Sequence, residues 1–244
     1  MIPDELITAV ADARHVTVLT GAGVSAESGV PTFREAQAGL WAQYDPTELA
    51  TPEAFAANPT LVWDWYQFRR TLILGVEPNP GHVALAKLES LVPGMTLVTQ
   101  NVDGLHARAG STDVIEFHGN LFANRCFAED KVVTGRESKQ LPFCPDCGAP
   151  LRPGVVWFGE AIPEAARDRA FQAARDCDVF FSVGTSSLVY PAAGLVEIAR
   201  EAGATLVEVN PEPTELAATL DFALAGPSGE LLPALVKRLN DHKS

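Results

Sequence analysis

The sequence predicts an α/β fold, a mostly parallel sheet with helices on both faces and a smaller lobe built from insertions. Three observations predict it. Short β-branched runs alternate with longer stretches of helical period along most of the chain, the pattern of repeated βα units. The first run, HVTVLT at 15–20, passes directly into Gly21-Ala22-Gly23, the glycine turn that opens a Rossmann-like domain. Two stretches, about 35–75 and 121–153, break the rhythm, and the second holds three of the four cysteines.

The elements follow in order. Residues 2–13 place Leu6, Ile7 and Val10 on one helical face. The run 15–20 is a buried strand. Residues 31–50 show no period and read as a long functional loop. Thr51-Pro52 is an N-cap followed by proline at the first helical position, so a helix starts there. Further helices are expected over 59–74 and 80–91, and strands over 95–99 and 113–117. The segment 121–153 is polar and lacks a helical period. The α/β rhythm then returns, with helix 163–175, strand 178–183, helix 191–202 and strand 205–209. A last strand near Phe222 leads to helix 229–239. The Rossmann-like part is therefore about 1–34, 76–120 and 154–244. The small lobe is about 35–75, which is helical, and 121–153. A cleft between two such lobes is a natural ligand site.

Composition narrows the function classes. With 47% hydrophobic and 20% charged residues, the chain has the balance of a globular enzyme. Its formal charge of −13 argues against a nucleic-acid surface, which needs clustered Lys and Arg. No apolar run approaches the roughly eighteen residues of a membrane span. The first fourteen residues carry Asp4, Glu5 and Asp12 and do not read as a signal peptide. Few cysteines, two of them in a C-x-x-C, point to a reducing compartment. The expectation is a cytoplasmic monomer that contacts neither nucleic acid nor membrane.

Gly21 to Ala26, GAGVSA, fits the G-x-G-x-x-G/A pattern of dinucleotide sites, in which backbone N–H groups at a helix start attract phosphate. Alone the pattern is weak, since a plain glycine turn explains it as well. An ordinary dehydrogenase would also place an acidic residue at the end of a second strand some twenty residues on. Here that region is Gln43-Tyr44-Asp45-Pro46 in a loop, so the dehydrogenase reading fails.

The longer run GAGVSAESGVPTFR at 21–34 resembles the cofactor signature of the sirtuins. So do TQNVDGLH at 99–106, Phe117-His118-Gly119, VVWFGE at 155–160, Gly184-Thr185-Ser186-Ser187 and Val209-Asn210-Pro211. The six blocks occur in that family's order and cover nearly the whole chain. The resemblance implies an NAD-dependent protein lysine deacylase that consumes NAD⁺ without moving a hydride. It implies that Gly21, Ala22, Gly184, Thr185 and Ser186 line the cofactor. It places Phe33 and Arg34 over the nicotinamide ribose, and Gln100, Asn101 and Asp103 around that ribose and the carboxamide. Asn210 would contact the adenine-side ribose and Ser228 the adenine. Val156, Trp157, Phe158 and Gly159 would lie extended and pair by main chain with the substrate peptide. The acyl oxygen would attack the anomeric carbon, releasing nicotinamide and then acyl-ADP-ribose and free lysine.

Five histidines compete for the base. His242 is in the tail, His15 starts a scaffold strand, and His82 follows Pro80-Gly81 where capping suits it. His106 closes the 100–106 loop. His118 stands at the carboxyl end of a strand, the edge where open α/β sheets bind ligands. The residues alone leave His106 and His118 open. The resemblance assigns catalysis to His118, and an imidazole suits proton transfer near neutral pH.

The cysteines depart from the resembled pattern, which holds zinc with two C-x-x-C pairs in a zinc-ribbon-like insertion. Cys144-Pro145-Asp146-Cys147 is intact, but the first pair is reduced to Cys126-Phe127-Ala128-Glu129. Zn²⁺ held by Cys126, Cys144 and Cys147 with Glu129 or Asp130, and loss of the metal, are both compatible with that change. Cys177 reads as core.

Tyr66 and Arg69 stand three apart on one helix face. For an anonymous helix a surface arginine beside a half-buried tyrosine is the plain reading. Y-x-x-R also resembles the mark of the class III-like sirtuins, which remove acidic acyl groups. A guanidinium fork with a phenol suits a carboxylate. The resemblance therefore implies succinyl-, malonyl- or glutaryl-lysine over acetyl-lysine. The alternatives are a plain deacetylase, an ADP-ribosyltransferase and a non-catalytic NAD sensor.

Overall fold

The computed structural model of the chain describes residues 2–31, 44–135, 138–186 and 189–243. The elements are α1 (Asp4–Asp12), β1 (Val16–Thr20), α2 (Ala22–Ala26), α3 (Pro46–Leu49), α4 (Pro52–Ala57), α5 (Pro59–Leu74), α6 (Pro80–Leu91), β2 (Met95–Thr99), α7 (Leu105–Arg108), β3 (Val114–Glu116) and β4 (Gly119–Cys126). They continue with β5 (Leu151–Val155), α8 (Glu164–Asp176), β6 (Val179–Val183), α9 (Gly194–Glu201), β7 (Thr205–Asn210), β8 (Phe222–Ala225) and α10 (Ser228–Lys243).

Six strands form one sheet in the order β3-β2-β1-β6-β7-β8, and every pairing in it is parallel. Both faces are covered, which is why the strands read as continuous apolar runs rather than alternating ones. Neighbouring residues still go opposite ways. Val18, Leu97, Phe181 and Val207 face a core with α1, α6 and α10. Leu19, Val98, Phe180 and Leu206 face a core with α8 and α9. The chain winds outward from β1 through β2 to β3, then returns to β6 on the other side of β1. The switch point lies between β1 and β6, and the loops at their carboxyl ends diverge there to leave a crevice.

The helix starts follow local chemistry. Thr51 Oγ1 accepts from the Ala54 amide and Asn58 Oδ1 from the Leu61 amide, each with proline at the first helical position. Asn79 and His82 form a capping box at the start of α6.

The segment 121–153 corrects the sequence reading in one respect. It is bounded by two strands, because β4 pairs antiparallel with β5, Cys126 opposite Leu151 and Asn120 opposite Gly154. Arg70 of α5 is buried against this ribbon. Its Nε donates to the Leu121 carbonyl at 2.7 Å and its Nη2 to Asn124 Oδ1 at 2.9 Å. A third apolar cluster joins Phe55, Trp65 and Tyr66 of the helices to Leu121, Val155 and Trp157. No helix among the described residues is long and apolar enough to cross a membrane.

Candidate active site

A cleft of about 620 Å³ opens over the carboxyl ends of β1, β2 and β6. Its floor is backbone, and it is tight. A Cβ on Gly21 would meet the Thr185 side chain at 2.6 Å, and one on Gly23 would meet the Gly184 carbonyl oxygen at 2.8 Å. Gly184 itself has φ +58, in the left-handed region. The two glycine turns therefore pack backbone on backbone, and only glycine lets them do so. The Gly21, Gly23 and Gly184 amides donate to the Val183, Gly184 and Val209 carbonyls, so what the turns give the cleft wall is a bare backbone that a ligand can approach closely, beside short polar groups.

The polar lining is pre-ordered. Gln100 Nε2 donates to Thr185 Oγ1 at 3.0 Å, and Asn101 Nδ2 to the Gly21 carbonyl at 3.0 Å. Behind them runs a directed chain. The Asn79 amide donates to His82 Nδ1, so His82 carries its proton on Nε2, which lies 3.4 Å from Ser25 Oγ. Ser25 in turn donates to Asp103 Oδ2 at 2.7 Å, and Asp103 Oδ1 accepts from the Leu105 amide. Burial lowers the His82 pKa, which keeps the ring neutral and the chain in this sense. Ser25 has no role in the sequence reading, although it is the one hydroxyl of the GAGVSA motif.

The structure separates the two histidine candidates. His106 is buried, with Nε2 2.9 Å from Thr20 Oγ1, and it is absent from the cleft lining. Thr20 spends its own proton on Thr99 Oγ1, so its oxygen accepts from His106. Burial pushes the His106 pKa down to about 3. His118 lines the cleft, and its Nδ1 lies 3.1 Å from the Gln100 carbonyl oxygen. A carbonyl only accepts, so Nδ1 carries the proton and Nε2 keeps the lone pair. Burial also lowers the His118 pKa, partly offset by that hydrogen bond.

Tyr66 and Arg69 both line the cleft. The plain reading of a surface arginine beside a half-buried tyrosine does not hold, because Tyr66 is 1% exposed and Arg69 is half-buried. The Arg69 guanidinium lies 5.1 Å from the Trp65 ring centroid and 5.7 Å from that of Tyr66. Burial pushes the Tyr66 pKa up to about 12 and lowers that of Arg69.

The stretch Val156–Gly159 needs a correction, because it is not extended throughout. Residues 157–160 form a turn closed by the Glu160 amide on the Trp157 carbonyl, with Gly159 at φ +85. The amides of Val156, Trp157 and Phe158 already donate to the His118 carbonyl, Glu160 Oε2 and the Ala50 carbonyl. None of these three amides is left to donate to an added strand. Two further expected contacts sit off the cleft lining. Asn210 Nδ2 donates to the Thr185 carbonyl at 3.1 Å, and Ser228 Oγ to Glu27 Oε1 at 2.7 Å. Phe33 and Arg34 lie outside the described residues, as does Ser187.

Away from the cleft, Cys126, Glu129, Cys144 and Cys147 bring three thiol sulfurs and a carboxylate oxygen within 4.8 Å of one another. Cys126 and Cys147 Sγ are 3.4 Å apart. Zinc–sulfur bonds of about 2.3 Å in a tetrahedron put sulfurs roughly 3.8 Å apart, so the donor set fits Zn²⁺. Asp130 is not part of that group and pairs with Arg125 at 2.7 Å, whereas Glu129 belongs to it, although its Oε2 also pairs with Lys131 at 2.7 Å.

Comparisons with known proteins agree with this geometry. Residues 21–191 match the model of the Sir2 family. The NAD-dependent protein deacylase of Methylococcus capsulatus is 52% identical over 247 residues, covering 97% of this chain and 96% of that protein. The NAD-dependent protein deacylase 1 of Pseudomonas aeruginosa is also 52% identical, covering 96% and 97%. A Sir2 homologue solved as an NAD complex aligns with a TM-score of 0.93 at 43% identity, covering 100% of this chain and 96% of that one. A Sir2 protein solved with deacetylated p53 peptide and 3′-O-acetyl-ADP-ribose aligns with a TM-score of 0.82 at 31% identity, covering 98% of each. The chain belongs to the Sir2 family, the sirtuins.

Proposed function

We propose that this sirtuin is an NAD-dependent protein lysine deacylase that prefers acyl groups ending in a carboxylate, succinyl and malonyl above acetyl. One observation carries the preference: a buried phenol and a guanidinium stand one helical turn apart on the cleft wall. A phenol whose pKa is pushed up to about 12 stays protonated and can donate. The Arg69 guanidinium is half-buried on the same wall, and a planar fork of donors suits a carboxylate. An acyl carboxylate meets both needs at once.

The other residues take roles that fit their geometry. Gly21, Ala22, Gly184, Thr185 and Ser186 hold the pyrophosphate and ribose side of NAD⁺, while Gln100, Asn101 and Asp103 hold the nicotinamide side. NAD⁺ supplies the electrophilic anomeric carbon. His118 takes a proton at Nε2 from a ribose hydroxyl, and the Gln100 carbonyl holds the ring in that tautomer. Gly159 and the groups after it pair with the peptide. Cys126, Glu129, Cys144 and Cys147 hold a structural Zn²⁺ that fastens β4 to the turn before β5.

Kinetics with succinyl-, malonyl- and acetyl-lysine versions of one peptide, each with NAD⁺, test the reading. A higher kcat/KM for the acidic acyl groups is expected. An equal or higher value for acetyl-lysine would leave the second reading, a plain deacetylase, which the acetyl-ADP-ribose bound to the Sir2 protein at 31% identity favours.

A further inference from the structure

A phenol helps to hold a carboxylate only if it presents its proton and not a lone pair. What sets the Tyr66 hydroxyl is Trp157. The indole Nε1–H donates to Tyr66 Oη at 2.8 Å, in a place where both residues are buried. A phenol has one proton to give, and an oxygen that accepts on one side donates readily on another. With the indole proton on its lone pair, the Tyr66 hydroxyl has its own proton left for the cleft it lines.

The indole is itself held at both ends. The Arg152 guanidinium stacks on its ring, 3.5 Å from the centroid. Arg152 Nη2 donates to the Val155 carbonyl at 2.7 Å and to Glu160 Oε2 at 2.8 Å. The same Glu160 oxygen accepts from the Trp157 amide at 2.8 Å. The ion pair therefore grips Trp157 by its ring and by its backbone, and Phe55 packs 5.3 Å away, centroid to centroid. Arg152 is 4% exposed and its partner Glu160 is half-buried, and withdrawing an arginine from water into such a pair adds little stability by itself. Holding one ring in one orientation is a use that matches the geometry.

We propose that Trp157 is a positioning residue for acyl selection: its indole N–H turns the Tyr66 hydroxyl into a donor aimed at the acyl carboxylate, and the Arg152–Glu160 pair holds the indole in place. The proposal rests on the reading that Tyr66 and Arg69 grip that carboxylate. It adds that the selectivity of the pair depends on a third side chain from the other wall of the cleft.

A double-mutant cycle tests it, read as the ratio of kcat/KM for succinyl- over acetyl-lysine peptide, in which effects common to both substrates cancel. Trp157→Phe keeps a ring and removes the donor. The ratio should fall roughly three- to ten-fold, the size of one ordinary hydrogen bond. The loss should sit in KM for the succinyl peptide more than in kcat, because the contact is made in ground and transition states alike. In the Tyr66→Phe background the same change should leave the ratio unmoved. An equal fall in both backgrounds, or no fall with Tyr66 present, overturns the proposal. If Tyr66→Phe and Arg69→Met leave the ratio untouched, the carboxylate reading fails first and takes the proposal with it. Should Trp157→Phe not fold, β-(3-benzothienyl)alanine at that position keeps the bicyclic shape without the N–H and runs the same cycle.

Discussion

His118 Nδ1 lies 3.1 Å from the Gln100 carbonyl oxygen, and that contact decides which nitrogen of the ring can act as a base. The proton is fixed on Nδ1, so Nε2 is basic whenever the ring is neutral. Replacing His118 with Ala should cut turnover by roughly 10²–10⁴-fold while much of the NAD⁺ affinity remains. Single-turnover nicotinamide release and NAD⁺ binding, measured together, check this. A variant with near-native turnover would remove His118 from the role.

The same ring sets a pH limit. Burial lowers the His118 pKa below its ordinary 6.5, and the neutral form is the active one. Activity on an acetyl peptide should therefore be flat through neutral pH and fall on the acid side, with a midpoint below 6.5. A midpoint above that value would mean that a different group titrates.

His106 gives a stability effect of known sign. Its pKa is depressed from 6.5 to about 3 in the folded state, so between those values the unfolded chain binds the extra proton. Its contribution is complete above pH 6.5 and is lost as pH falls toward 3, by up to about 1.4 kcal/mol per unit. His106→Gln, which keeps a donor for Thr20, should flatten that part of the dependence of Tm on pH.

Zinc is tested by content and not by activity. The purified protein should hold about one equivalent, and chelation should lower its Tm. Glu129→Ala should release the metal at a chelator concentration that the native chain withstands. Equal retention would show that water fills the fourth position instead.

The sequence makes the main sheet legible because its signals are local. Val16–Thr20 runs straight into a glycine turn, and Thr51-Pro52, Asn58-Pro59 and Asn79-Pro80 announce three helix starts within a residue or two. Strands β4 and β5 are hidden for the opposite reason. Asn120, Asn124, Arg125, Pro153 and Gly154 are poor strand formers, and they pair with the help of one buried arginine, Arg70, which satisfies β4 from outside the ribbon. Arg70 reaches the Leu121 carbonyl across 51 positions, and the Trp157–Tyr66 contact spans 91. No window of sequence contains both partners. His118 over His106 follows the same rule, since only the fold shows which ring faces the cleft.

Arg69 should govern substrate choice. A succinyl chain must shed water from its carboxylate to enter the cleft, and without a cation there that charge would be prohibitive to bury. Arg69 supplies the cation and already bears the cost of its own desolvation, which lowers its pKa. Tyr66 stands one turn earlier with its hydroxyl protonated. Removing one member of a buried charge pair costs on the order of 2–5 kcal/mol. At about 1.4 kcal/mol per decade, that is roughly thirty-fold to a few thousand-fold in kcat/KM. Arg69→Met should lower desuccinylation by at least the smaller figure. Deacetylation should fall far less, because an acetyl group offers the guanidinium no charge to meet. Tyr66→Phe should act in the same direction with a smaller size, since a phenol brings a donor without a charge. Both variants fold or fail visibly in Tm, which separates a lost contact from a lost structure. Equal losses on the two substrates with Tm unchanged would mean that the pair shapes the cleft and does not read the acyl group.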